Sequence, residues 1–243
     1  ALVGNASKPS INIGDMKNRG IDLSIGWRDK VGEFGYNITA NISRYKNEVT
    51  RLGSSDLFND TRLSKVNITT VGQPVGMFYG YQIDGIYQNE QDVISSGVLP
   101  YGVATENDLV ASAWVGRYKM KDVNNDGKID ADDRTIIGNP HPDLTGGFNI
   151  SLTWRDFDLS TYMYYSIGND LYKHYEYYTM FGNLQSNYSK DRLAKSWDPV
   201  NNPNGIYPLW TTTSTEGPEA GNESNSNYVQ DGSYLRMQTL TLG

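Results

Sequence analysis

Two nine-residue stretches constrain this chain more than anything else in it. "GIDLSIGWR" occupies residues 20–28 and "GFNISLTWR" residues 147–155. Each opens on glycine, alternates apolar with polar residues, and ends in Trp-Arg before a short connection. Ile21, Leu23, Ile25 and Trp27 fall on one side; Asp22, Ser24, Gly26 and Arg28 fall on the other. Phe148, Ile150, Leu152 and Trp154 likewise oppose Asn149, Ser151, Thr153 and Arg155. Period-two alternation of this length predicts β-strands with one apolar face, because successive strand side chains point to opposite sides. "FGYNITANISRYK" (34–46) follows the first stretch after "DKVGE", and "FDLSTYMYYSIG" (157–168) follows the second after Asp156. "SYLRMQTLTLG" (233–243) reads as a fifth strand.

A soluble antiparallel sheet with one buried face is the simplest home for such strands. Three features favour a membrane barrel instead. The strands are long beside the usual ~5–6 residues. Tryptophan sits at the same end of both copies, beside the short turn, where an interfacial aromatic belongs. The connections are unequal: short turns follow Arg28 and Arg155, whereas residues 47–146 and 169–232 are long, polar excursions, as in barrels with short periplasmic turns and long outer loops. No run approaches the ~18 apolar residues of a membrane helix, but a spanning strand needs only about 9–11, alternately apolar. Eighteen tyrosines and five tryptophans suit interfacial girdles or sugar-binding surfaces.

The expected fold is therefore all-β: an antiparallel transmembrane β-barrel fragment with long extracellular loops and one short helix in a loop. Strands run down at 20–28, up at 34–46, down at 147–155, up at 157–168 and down at 233–243. Parity then allows no span, or an even number, within 47–146, and the glycine-broken "GMFYGYQIDGIYQ" (76–88) argues for none. An open sheet would leave edges unpaired in lipid, so more strands are expected on both sides. The stretch "ALVGNASKPSINIG" has neither the charged start nor the apolar centre of a signal peptide. A net charge of −7 argues against a nucleic-acid partner. The lack of cysteine excludes only a disulfide-stapled scaffold.

"DVNNDGKIDADD" (122–133) matches the spacing of a calcium loop of the EF-hand kind. Asp122, Asn124 and Asp126 stand at positions 1, 3 and 5, Gly127 at the sharp turn, and Asp130 and Asp133 at 9 and 12. Lys128 would offer its carbonyl and Ile129 an apolar anchor. Position 12 is aspartate rather than the longer glutamate, and no amphipathic helix precedes the loop. The two readings are a single structural Ca2+ and a plain Asn-Asp-Gly turn.

No catalytic constellation is visible, and an enzyme is not expected. His141 lies in "NPHPD", a rigid turn. His174 lies in "YKHYEYY", where loop packing competes with sugar contact. "NYSKDRLAKSWDP" (187–199) predicts a short surface helix capped by Ser189 and stopped by Pro199, with Leu193 and Trp197 sharing a face.

The run "YKMKDVNNDGKIDADDRTIIGNPHPDLTGGFNISLTWRDFDLS" (118–160) resembles the SusC/RagA-type TonB-linked outer-membrane proteins of the Bacteroidetes. "INIGDMKNRGIDLSI" (11–25), "VGQPVGMFYGYQIDGIYQ" (71–88) and "DGSYLRMQTLTLG" (231–243) resemble further segments of that family, in its order. The resemblance implies a large outer-membrane barrel, of which this chain is a C-terminal part without the plug. It also implies energisation by TonB through the missing part, a SusD-like surface lipoprotein partner, and uptake of glycans, oligosaccharides or peptides. The competing expectation is a soluble calcium-stabilised β-protein acting as a glycan-binding module.

Overall fold

A computed structural model describes residues 12, 14–53, 56–59, 65–181, 187–210, 221 and 223–243. Most of the stretch read for a signal peptide, together with Ile11 and Ile13, lies outside the described residues, as do parts of both long excursions.

In chain order the elements are β1 (Gly14–Val31), β2 (Phe34–Leu52), β3 (Leu57–Asn59), β4 (Asn67–Thr69), β5 (Met77–Gly80), β6 (Ile83–Ile86), α1 (Glu90–Ser95), β7 (Tyr118–Met120), β8 (Thr135–Gly138), β9 (Leu144–Trp154), β10 (Phe157–Ile167), β11 (Asp170–Tyr172), α2 (Lys190–Ala194), β12 (Val229–Asp231) and β13 (Tyr234–Leu242). No helix among the described residues is long and apolar enough to cross a membrane.

Five of these strands form one antiparallel sheet in the order β1-β2-β9-β10-β13. β1 and β2 reach 18 and 19 residues, well past the 20–28 and 34–46 expected. Alternation ends where charges begin, but backbone pairing continues, so pattern alone undercounts these strands. The first turn shrinks correspondingly: Val31 pairs with Phe34, leaving Gly32 and Glu33 at the tip. Gly32 takes a φ of 62°, which glycine adopts without strain. At the second tip Arg155 takes a φ of 56°, a conformation uncommon for a side-chain-bearing residue. Its guanidinium bonds Glu33 of the neighbouring hairpin at 2.5 Å.

Directly paired residues share a face, so the register extends the alternation across the whole sheet. Ile25, Ala40, Phe148, Met163 and Met237 form one row, and Trp27, Ile38, Ile150, Thr161 and Leu240 the next. A bulge at Tyr162/Met163 against β13 keeps both sides of that strand in phase. The result is an apolar face that is solvent-facing in the isolated chain: Ile21 is 78% exposed, Leu240 62% and Leu242 76%. The opposite face carries Asp22, Ser24, Thr39, Asn41, Asn149, Ser151 and Ser160. A soluble sheet would cover its apolar rows with a second layer; here the described residues place none on them.

The two long excursions fold together into one body at the sheet's far end. Its core takes Val66, Tyr81, Ile86, Tyr118, Met120 and Ile129 from the first and Met180, Phe181, Trp197, Tyr207 and Tyr228 from the second. The strands within it are 3–4 residues long, too short to span. α2 starts where expected, with the Ser189 side chain accepting from the Asp191 N–H. It is only 5 residues long, however, and Leu193 and Trp197 do not share a face: Leu193 is 74% exposed and Trp197 buried. The helix ends before Trp197, so the helical spacing does not extend to it.

Candidate functional site: a polar wall roofed by the loop body

The polar face is the candidate functional surface, and its geometry follows from small residues beside large ones. Gly146 and Gly147 stand next to each other on β9, so they belong to opposite faces. Tyr165 on β10 crosses Gly146 on the apolar side and donates from its hydroxyl to the Asn41 carbonyl at 3.4 Å. Tyr162 crosses Gly147 on the polar side; a Cβ on Gly147 would lie 3.1 Å from its ring and 2.8 Å from the Met163 carbonyl. The glycine pair thus lets one tyrosine lie flat on each side of the wall. Tyr164 and Tyr234 continue the polar-side aromatic strip, with ring centroids 6.0 Å apart. At the turn end the polar face opens into a groove of about 880 Å³ lined by Arg28, Lys30, Glu33, Asn37, Ser151 and Arg155.

The loop body sits over this polar side. Asn47 and Val49 of β2, on the polar-face parity, are buried against residues 72–75: Val49 N–H donates to the Gln73 carbonyl at 2.9 Å, and Val75 N–H to the Asn47 side chain at 2.8 Å. His141 bridges to the Val75 carbonyl at 2.7 Å, pinning the turn before β9 to the same segment.

The two excursions are joined at Gly80. Tyr81 N–H donates to the Ser224 carbonyl and Ser226 N–H to the Tyr81 carbonyl, both at 2.9 Å, while Ser224 Oγ donates to the Tyr79 carbonyl at 2.6 Å. Tyrosines dominate the core below this joint. Burial raises the phenols of Tyr81 and Tyr207 to about 12 and those of Tyr118, Tyr172 and Tyr228 further still. Each buried hydroxyl needs a partner: Tyr228 donates to the Gly221 carbonyl at 2.7 Å and Tyr172 to Ser224 Oγ at 2.9 Å.

Two arginines that sequence reasoning missed hold the body. Arg192 of α2 is buried, donates to the Met180 and Pro208 carbonyls at 2.7 Å and to Ser196, and lies over the rings of Phe181, Tyr207 and Trp210. Desolvation lowers its pKa. Arg134 pairs with Glu223 across the two excursions and lies over Tyr81. His174 stacks on Tyr178 in the aromatic loop.

The calcium-like loop is closed by its own hydrogen bonds. Asp122 accepts from the N–H groups of Asn125, Asp126 and Gly127 at 2.6, 3.3 and 2.8 Å. Asp133, fully buried, accepts from Val123 and Asp130 at 2.8 Å each, joining the two ends. Lys128 Nζ lies 2.6 Å from Asp130 and 3.8 Å from Asp126. That hydrogen bond lowers the Asp130 pKa and raises that of Lys128. Asn124 donates to Asp126 at 3.2 Å. Among the described residues no three acidic or histidine side chains converge as a metal site. The Lys128 ammonium lies between Asp126 and Asp130. Ile129 enters the core as an anchor.

No family model matches the sequence. The chain is 32% identical to TonB-dependent receptor P3 of Formosa agariphila over 242 residues, 96% of this chain and 22% of that protein. It is 26% identical to TonB-dependent receptor SusC of Bacteroides thetaiotaomicron, again over 96% of this chain and 21% of the relative. Its fold matches the RagAB peptide transporter with a TM-score of 0.66 at 22% identity, covering 95% of this chain and 23% of that one. The chain thus spans about a fifth of the length of the relatives it matches, and they are named receptors and a transporter rather than enzymes. Sequence likeness over nearly the whole chain and the matching fold agree, and the chain is a SusC/RagA-like TonB-dependent receptor segment.

Proposed function

We propose that this chain forms part of the wall and roof of an outer-membrane importer, its apolar face against lipid and its polar face lining the lumen. One observation carries the reading: five strands place their alternate, mostly apolar residues on a surface that the described residues leave uncovered, while the loop body lies over the other side. Within the importer the segment works with the TonB-contacting part of the receptor and with a SusD-like surface lipoprotein. The cargo class is oligosaccharide or peptide; the Tyr162, Tyr164 and Tyr234 strip and the Asn, Ser and Thr rows suit a polar, hydrogen-bonding cargo.

This chain contributes no cysteine of its own, and any cysteine elsewhere in the receptor is replaced before the test. In the full-length receptor, Ile150→Cys and Ser151→Cys differ only in face. The first is expected to react with a lipid-dissolved maleimide and the second with a water-soluble one. Equal labelling of both by the aqueous reagent, or a receptor that fractionates without detergent, overturns the assignment.

We also propose a single structural Ca2+ for residues 122–133, with Asp122, Asn124, Asp126, the Lys128 carbonyl, Asp130 and Asp133 as its ligands. The residue pattern supports it, and the geometry sets its requirement: Lys128 must release Asp126 and Asp130. Calcium is expected to protect this loop from proteolysis while leaving the strands unchanged. Identical cleavage with calcium and with chelator removes the ion from the account.

A further inference from the structure

On the outward face the apolar rows end abruptly in positive charge. Beyond Ile21 and Ile42, the same parity places Lys17 and Arg19 on β1 and Arg44 and Lys46 on β2, all exposed. Arg19 is paired directly with Lys46, Arg44 stands opposite Ile21, and Lys17 faces Glu48. Glu48 lies 3.8 Å from Lys46. Like charges directly opposite each other on a sheet destabilise it. This chain carries a net charge of −7, yet Lys17, Arg19, Arg44, Lys46 and Arg51 gather there against two carboxylates, Glu48 and an Asp15 already paired with Arg51 at 2.7 Å.

The position is specific to one hairpin. β2 pairs with β9 only as far as Ser43, so the ends of β1 and β2 project beyond the rest of the wall as a two-stranded ribbon. Asn47 and Val49 are buried beneath the loop body, which fixes the basic residues on the side away from the lumen. β9 and β10 end at the same side on Leu144 and Ile167, without charge.

The height matches a membrane interface. From Trp27 to Arg19 is about 26 Å along the strand, and from Phe34 to Lys46 about 40 Å, at roughly 3.3 Å per residue. With a barrel tilt near 40° these become about 20 and 30 Å, bracketing the ~25 Å apolar band of an outer-membrane barrel. With Trp27, Phe34 and Trp154 at the turn-side interface, the four cations stand at the headgroup level of the loop-side leaflet.

We propose that Lys17, Arg19, Arg44 and Lys46 form a binding site for a phosphate-bearing lipid headgroup on the outside of the barrel. Neighbouring strands are about 4.8 Å apart and same-face neighbours about 7 Å apart along a strand, so several of the cations reach one phosphate. The bound anion sits between Arg19 and Lys46 and turns their repulsion into attraction. The site rests on the membrane assignment proposed above and adds to it a preferred lipid.

The test uses the full-length receptor in neutral detergent, with native mass spectrometry as readout. The probes are phosphorylated lipid A, the same lipid with its phosphate removed, and inorganic phosphate. The phosphorylated lipid is expected to bind at least tenfold tighter than its dephosphorylated form. The quadruple variant Lys17→Gln, Arg19→Gln, Arg44→Gln, Lys46→Gln is expected to lose that preference, at about fivefold per charge. A double variant at the turn end, Arg28→Gln with Lys30→Gln, is expected to keep it. Heat-modifiable gel mobility reports whether each variant is folded. Equal binding of the two lipids by the folded receptor overturns the headgroup site while leaving the membrane assignment standing. Inorganic phosphate that competes at the affinity of the lipid also overturns it, in favour of a free-anion site. A receptor that needs no detergent overturns the membrane assignment itself.

Discussion

Replacing Gly80 by alanine tests whether the two long excursions are one body. A Cβ at Gly80 would lie closer than 3.0 Å to the carbonyl carbon, carbonyl oxygen and hydroxyl of Ser224. Two of those atoms are backbone, so the segment carrying Ser224 must move away. The Tyr81 N–H to Ser224 bond and the Ser224 Oγ to Tyr79 bond then lengthen together. Overpacking costs about 1–3 kcal/mol and a lost internal hydrogen bond about 1 kcal/mol. The joint should therefore open more easily by roughly 2–4 kcal/mol, a factor of about 30 to 1,000 in local exchange protection. Hydrogen exchange on the full-length receptor reads this directly. Amides of residues 79–81 and 224–228 should lose protection together, while those of β9 and β10 keep theirs. Loss confined to residues 79–81, or no loss at all, refutes the single-body account.

Other consequences follow from the same geometry. Ile150→Arg places a charge on the lipid face at mid-wall and should cost about 2–4 kcal/mol of barrel stability, whereas Ser151→Arg, one residue along on the lumen face, should be tolerated; urea unfolding in detergent or lipid separates them. Gly147→Val drives a side chain into Tyr162 and the Met163 carbonyl and should lower stability by about 1–3 kcal/mol, with Tyr162→Ala in the same chain restoring part of it. Alkaline pH should melt the loop body first. The Tyr81 phenol is raised from 10.0 to about 12 in the folded state, so its stabilisation is complete below pH 10 and falls as pH rises from about 10 to 12, where the unfolded chain has released a proton that the folded one retains. Tyr207 acts in the same window and direction. Tyrosinate absorbance should rise cooperatively with the loss of loop-body protection; a gradual, non-cooperative rise would contradict the buried-phenol account.

Much of the wall was legible because its information is local. Ile21, Leu23, Ile25 and Trp27 announce both a strand and the face it shows, whatever the strand pairs with. The Trp-Arg endings marked the tight turns, and the unequal connections marked which end carried the loops. Ser189 announced the start of α2. The further reach of β1 and β2 was hidden because Lys17, Arg19, Arg44 and Lys46 replace the apolar residues on the same parity. The spacing of residues 122–133 was equally plain, yet it could not say that Asp122 and Asp133 turn to backbone N–H groups and that Lys128 lies between Asp126 and Asp130. Arg192 looked like one more charge on a surface helix.

By itself, then, the sequence determined the five wall strands and their two faces, though not the full length of the first two, because period-two alternation needs only neighbours along the chain to be read. The tertiary structure alone decided that the described parts of residues 47–146 and 169–232 form one roof over the polar side. It set Gly80 against Ser224, Tyr118 beside Phe181, and Arg134 against Glu223. Those partners lie far apart in the chain and follow no repeat, so only the packed core selects them.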